Sequence, residues 1–340
     1  MKRIQDWESL VFIGNEWSNL RYCEIEPGSV RMFTINLDGS GYRDFEYSKD
    51  FEIDYKQGKI RRTSNSRIGD YKNSHFFGDD NFDHNIYGKG NYGNYPFTVY
   101  VSYTFEDEVN VLTEDIAKRI TAGNGLPLVR EMKAFQKLKS GGEITYTVIG
   151  DSISTGSEAI YKRHAYFSLF ARKLESVTGG TVKVVNKAVG SENSGNGFLH
   201  YIADIEESKP QLITIAYGIN DMHLINGENH IGDSLVPREK FHDNIALMIE
   251  NAQKRDIEVI LVNNAIPNPL WKFCSAREYE YPEEMRRIAK EYNLPLADIR
   301  KLWESELEHG KTVNDLLLDD INHPTTYGHG IYAKMLFSLI

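Results

Sequence analysis

The chain has 340 residues, of which 41% are hydrophobic and 26% charged; that balance belongs to a folded globular protein and excludes disordered, collagen-like and disulfide-scaffold chains. At roughly 150 residues per domain the length predicts about two domains. The 39 basic and 49 acidic side chains leave a net charge of −10, so a nucleic-acid partner, which needs a clustered basic excess, is not expected. No apolar run reaches the roughly 18 residues of a membrane span, and no membrane partner is expected either. Cys23 and Cys274 are too few and too far apart for a disulfide framework. Asp6 and Glu8 stand where a secretory leader carries its apolar stretch, which together with the cysteine usage predicts a cytoplasmic protein.

Residues 1–112 read as a small β-sandwich domain. Phe97, Val99, Val101, Tyr103 and Phe105 alternate with Thr98, Tyr100, Ser102 and Thr104, the period of a half-buried strand. Phe33, Ile35 and Leu37 share a face in the same way. Phe51, Ile53 and Tyr55, followed by Lys56, Gln57, Gly58 and then Ile60, read as a hairpin in which Gly58 supplies positive φ. Residues 75–96 hold too much Gly and Asn for a regular element and too many aromatics for a solvated linker. That stretch reads either as packing between domains or as a carbohydrate platform or lid, because aromatic faces stack on sugar rings while Asn and Asp bind hydroxyls.

Residues 113–142 follow as a helical connector, with Leu126, Val129, Met132, Phe135 and Leu138 at helical spacing before Gly141 and Gly142. From 143 to 340, short apolar runs at 144–149, 182–185, 212–217, 259–263 and 294–297 alternate with amphipathic stretches such as 166–177 and 241–255. Runs that are apolar throughout are buried on both faces, so this is an α/β domain with helices on either side of a parallel sheet, three layers in all. Ligands of such sheets bind beyond the carboxyl ends of the strands, which makes the residues after each run the place to look for chemistry.

The first run ends in Gly150, Asp151 and Ser152, a tight strand-to-helix turn in which Ser152 is the candidate nucleophile, although the same residues also suit a helix cap. The third ends in Gly218, Ile219, Asn220 and Asp221; the Asn220 amide can donate to a developing oxyanion, or the pair can simply turn the chain. Asp320 stands three residues before His323 and Pro324. A carboxylate so placed folds back onto the imidazole Nδ1 and leaves Nε2 as a base facing the serine, with an ordinary loop as the alternative. Taken together the three segments supply a nucleophile, an oxyanion donor and an oriented base.

These blocks resemble those of the SGNH hydrolases, the GDSL esterases and lipases. The resemblance covers about residues 144–340 and implies a catalytic set of Ser152, Asp320 and His323. It also implies an oxyanion hole built from the backbone N–H of Ser152, the Asn220 amide and a further backbone donor. That donor falls within residues 185–194, where Gly190 is assigned to the hole and Ser191 is kept beside it in the substrate site. His223, three residues past Asn220, is a candidate for the substrate rim. A β-rich domain ahead of an SGNH domain resembles the carbohydrate esterase family 2 architecture, a jelly roll before the hydrolase, and implies deacetylation of sugars. No HExxH, CxxC or GxGxxG spacing occurs, so neither a metal nor a nucleotide cofactor is expected.

The expected function is therefore a serine esterase that removes small acyl groups, acetyl first, from a small-molecule or oligosaccharide ester; a homo-oligomer is compatible with it. The alternatives are a lipase, lysophospholipase or thioesterase of the same family, or a catalytically silent sugar-binding protein.

Overall fold

A computed structural model describes residues 1–87, 93–227 and 230–340. Among the described residues seven strands form the first domain: β1 (Lys2–Val11), β2 (Ser18–Asn19), β3 (Arg31–Thr34), β4 (Arg43–Phe45), β5 (Phe51–Asp54), β6 (Lys59–Arg62) and β7 (Thr98–Glu106). They pair in two antiparallel sheets, ordered β1-β7-β3-β4 and β2-β6-β5, the jelly-roll-like sandwich expected. Leu10, Phe12, Met32, Val101 and Phe105 meet Phe51, Ile53 and Ile60 between the sheets. The β5–β6 hairpin turns at Gly58, whose φ is +65°. Alternation along β7 predicts one wet face, yet Thr98 and Tyr100 are buried as well. The reason is tertiary: Tyr100 and Phe33 pack against Ile160, which belongs to the second domain.

The stretch 113–142 forms two helices, α1 (Thr113–Asn124) and α2 (Lys133–Lys139), with a 3₁₀ turn at Val129–Glu131 between them. Gly125 ends α1 in the left-handed region, and the helical spacing from Leu126 to Leu138 falls wholly beyond it, on the 3₁₀ turn and α2 and not on one continuous helix. Beyond them come β8 (Glu143–Gly150), α3 (Ser152–Thr155), α4 (Tyr166–Thr178), β9 (Thr181–Asn186), α5 (Ser194–Ser208), β10 (Leu212–Ala216), α6 (Arg238–Gln253) and β11 (Glu258–Val262). The chain closes with α7 (Glu280–Glu291), β12 (Leu296–Ala297), α8 (Ile299–Glu308), α9 (Val313–Leu316) and α10 (Thr326–Phe337). The five later strands form one parallel sheet in the order β12-β11-β10-β8-β9. Its apolar runs are buried on both faces, as in Val148, Ile149, Ile213 and Ile215, each contributing roughly 1.5–3 kcal/mol.

The strand order positions the site. After β8 the chain crosses to β9 on one side and then returns to β10 on the other, so the loops leaving β8 and β10 diverge and open a crevice at the switch point. Among the described residues no helix is long and apolar enough to cross a membrane. Cys23 and Cys274 are unpaired thiols.

The two domains are joined through buried polar contacts. Lys311 Nζ lies 2.9 Å from Glu8 Oε1 and 2.8 Å from the Ser9 carbonyl, with both charged side chains fully enclosed. Arg21 pairs with the equally enclosed Glu306 at 3.0 Å. Because removing one partner strands the other charge, Lys311→Met is expected to destabilise the protein by about 3–5 kcal/mol. Urea unfolding measures it, and a loss below about 1 kcal/mol would mean that the Arg21 N–H and the Tyr103 hydroxyl, which also donate to Glu8, suffice for its charge.

Candidate active site

Gly150 closes β8 where the backbone runs so near its neighbours that a Cβ would stand 2.5 Å from Ser154 Oγ and 2.6 Å from the Ala216 carbonyl. Only glycine fits, and the chain turns at once into α3. The cap of that helix is Asp151, whose carboxylate accepts from the Ile153 N–H at 3.0 Å. Burial pushes the Asp151 carboxyl up to about 7, against the pull of that N–H. With the cap supplied by its neighbour, the Ser152 hydroxyl is left to face His323, and Ser152 Oγ lies 2.7 Å from His323 Nε2.

The loop after β9 is laid along the end of β8. Lys187 donates to the Val148 carbonyl at 2.9 Å and Val189 to that of Gly150 at 3.0 Å, while the Asn186 amide donates to the Ser154 carbonyl at 2.8 Å. Gly190 thereby comes beside Ser152, where its Cβ would sit 3.9 Å from that of the serine. Ser191 takes a left-handed backbone with φ of +65°, the conformation glycine adopts most easily. Asn220, buried after β10, donates from Nδ2 to the Glu192 carbonyl at 2.8 Å and so ties the two loops together. Turning the chain is the task of Asp221, which accepts from the N–H groups of Gly218 and Ser194, both at 3.0 Å.

The acid facing the His323 imidazole is Asp319, not Asp320. Asp319 Oδ1 accepts from the N–H groups of Ile321, Asn322 and His323, each at 2.9 Å, and this wrap turns Oδ2 toward His323 Nδ1, 3.1 Å away though not in line for an ideal hydrogen bond. Asp320 has φ of +62°, which carries its side chain the other way, and Tyr71 of the β-domain donates to it at 3.2 Å. Burial first, and then the Asp319 charge, push the Asp320 carboxyl up to about 8. It is therefore neutral near pH 7 and cannot stabilise an imidazolium.

Glu158 is a second acid at the same ring, with Oε1 3.5 Å from His323 Nδ1. Burial by itself would lower the imidazole's pKa; the charges of Asp319 and Glu158 outweigh it and raise the group to about 9. Glu158 has no sequence signal, since it lies in the loop after α3 with none of the spacing of a motif. The signal for Asp319 was the doubled acid itself, two candidate carboxylates side by side.

A model of the GDSL-like lipase/acylhydrolase family matches residues 148–331, more than half of the chain and a span that takes in Ser152, Gly190, Asn220 and His323. The chain belongs to this family. As a GDSL acylhydrolase it is, at the coarse level, an esterase. It is 23% identical over 189 residues to the uncharacterized lipoprotein YqeF of Bacillus subtilis (strain 168), across 50% of this chain and 75% of that one. Among solved structures it is similar to a two-domain esterase active on acetylated mannans, at 20% identity and a TM-score of 0.48, over 63% of this chain and 53% of that chain. It is also similar to Axe2, an acetylxylan esterase from Geobacillus stearothermophilus, at 18% identity and a TM-score of 0.47, over 56% of this chain and 91% of that chain.

In this GDSL hydrolase the wall beyond His323 is built jointly by the two domains. His223 meets the Trp271 ring edge-on at 4.5 Å between centroids, and its Nε2 lies 3.5 Å from Asn322 Nδ2. Burial, then the nearby His84 and His323, lower His223 to about 3, so it stays a neutral hydrogen-bonding ring. Trp271 donates from Nε1 to His84 Nδ1 at 3.0 Å, and His84 comes from the aromatic stretch of the first domain. Phe82 of that stretch pairs by backbone with Leu270 and Lys272, so its described part packs between domains at the site; residues 88–92 lie outside the described residues.

Proposed function

We propose that the protein is a serine esterase that removes acetyl groups from a carbohydrate, using Ser152 as nucleophile and His323 as general base. The observation that carries the reading is the 2.7 Å contact of Ser152 Oγ with His323 Nε2 at the switch point of the sheet. Ser152 Oγ bonds to the ester carbonyl carbon as its proton passes to Nε2, and Asp319 stabilises the imidazolium that forms. The N–H groups of Ser152 and Gly190 and the Asn220 amide receive the oxyanion. Collapse breaks the bond to the alcohol, which leaves with the proton from Nε2; water then repeats the cycle and frees the acid.

The carbohydrate part is supported by His223 and Asn322, polar side chains 3.5 Å apart near His323, which suit hydroxyls better than an acyl chain. A second reading, cleavage of longer acyl esters, is favoured by Ile225, Ile231 and Leu235 in the loop after Asn220, which are 56%, 75% and 48% exposed. Wild type incubated with acetylated xylo-oligosaccharides and, separately, with a medium-chain glyceride is expected to release acetate from the first, followed by NMR. Fatty acid in place of acetate would move the protein to the second reading, and sugar binding with no acid released from either would leave a silent binding protein.

A further inference from the structure

His323 is enclosed by groups from several elements: Asp319 on its own loop, Glu158 after α3, Asp151 at the end of β8, His223 after β10 and His329 on α10. Only the first two stand at Nδ1, Asp319 at 3.1 Å and Glu158 at 3.5 Å. We propose that Glu158 is a second positioning carboxylate for the His323 imidazole, held in place by the Tyr95 hydroxyl of the β-sandwich domain, so that the accessory domain completes the general base. This rests on the reading of Ser152 and His323 as nucleophile and base.

Three observations carry it. Glu158 occupies a left-handed backbone, φ +65°, a conformation that disfavours every residue with a Cβ and persists only where the surroundings enforce it. The enforcement is visible on both sides. The His329 Nε2–H donates to the carbonyl of the preceding Ser157 at 2.8 Å, fixing the loop from α10, and Tyr95 donates to Glu158 Oε1 at 3.0 Å, fixing the carboxylate from a residue 63 positions earlier in the chain. Lastly, Glu158 Oε2 is buried without a hydrogen-bond partner. A buried carboxylate oxygen left so is costly unless a positive charge forms beside it, and the charge that forms at this place during turnover is the imidazolium.

An opposite charge at this range raises an imidazole by about 1 to 3 pH units, and a base held high is inactive below its pKa and gains activity as pH rises through it. Removing one of the two charges therefore moves the acid limb of kcat/KM to lower pH. For Glu158→Gln, measured on a nitrophenyl acetate from pH 5 to 10, we expect that limb about one unit lower. Tyr95→Phe is expected to move it the same way by less, and the double variant no further than Glu158→Gln alone, because both act through one contact. Nitrogen-15 histidine NMR of the Ser152→Ala protein with and without Glu158→Gln reads the same titration without turnover. An unmoved limb and an unmoved His323 resonance in a folded Glu158→Gln protein would overturn the proposal. A fluorophosphonate probe separates the two failures: labelling of Ser152 with an unmoved limb removes the role of Glu158 alone, whereas absence of labelling removes the nucleophile assignment and the proposal with it.

Discussion

Ser152→Ala should lose about 10⁴- to 10⁶-fold in kcat on any ester the wild type cleaves, while keeping its fold. The first half follows from the covalent step, since without Oγ no acyl-enzyme forms and only the oxyanion donors and the binding site remain to assist water. The second half follows from what Ser152 does not do. Capping of α3 belongs to Asp151, and the Ser152 carbonyl, which receives the Thr155 hydroxyl at 2.6 Å, is untouched by the change. The one partner lost by the hydroxyl is His323, so Tm should stay within about 3 °C, the span of a change below about 1 kcal/mol in a domain of this size. A variant that turns over at the wild-type rate would remove Ser152 from the role of nucleophile, and one that unfolds early would show that its hydroxyl also carries the fold.

Asp319→Asn is expected to lower kcat/KM by about 10²-fold or more, and its neighbour Asp320→Asn to change it by less than about 3-fold. The amide oxygen at 319 inherits the three backbone N–H groups that now bind Oδ1, which leaves the NH₂ group aimed at His323 Nδ1. That favours the tautomer with its proton on Nε2, which cannot accept from Ser152. A triad acid replaced in this way costs up to about 10⁴-fold where no other carboxylate is near; Glu158, 3.5 Å from the same nitrogen, holds the loss below that limit. At 320 the change is mild because Asp320 is pushed up to about 8 and is already neutral at pH 7, and asparagine tolerates its positive φ. Steady-state kinetics on the two purified variants decide the matter. A large loss at 320 beside a silent 319 would restore the acid that the sequence spacing pointed to.

The two aspartates show where the sequence stops being informative. The layers of the second domain were legible because strands buried on both faces must be apolar throughout, and Ser152, Asn220 and His323 because each follows its strand or turn within a few residues. Such local relations survive without knowledge of the rest of the chain. The choice between Asp319 and Asp320 is of another kind: it turns on the left-handed backbone at 320 and on Tyr71, which reaches Asp320 from 249 positions away. Glu158 likewise acquires its place from Tyr95 and His329, and the buried face of β7 from Ile160. The sequence by itself determined the fold class, because periodicity encodes it, and singled out Ser152 and His323 as the candidate pair, because short-range turns encode their places. Which carboxylates stand at His323, and that Tyr71 and Tyr95 of the β-domain reach the acids of this cluster, only the tertiary structure decided, because side chains far apart in the chain meet where the packing of whole domains brings them and no local pattern records the meeting.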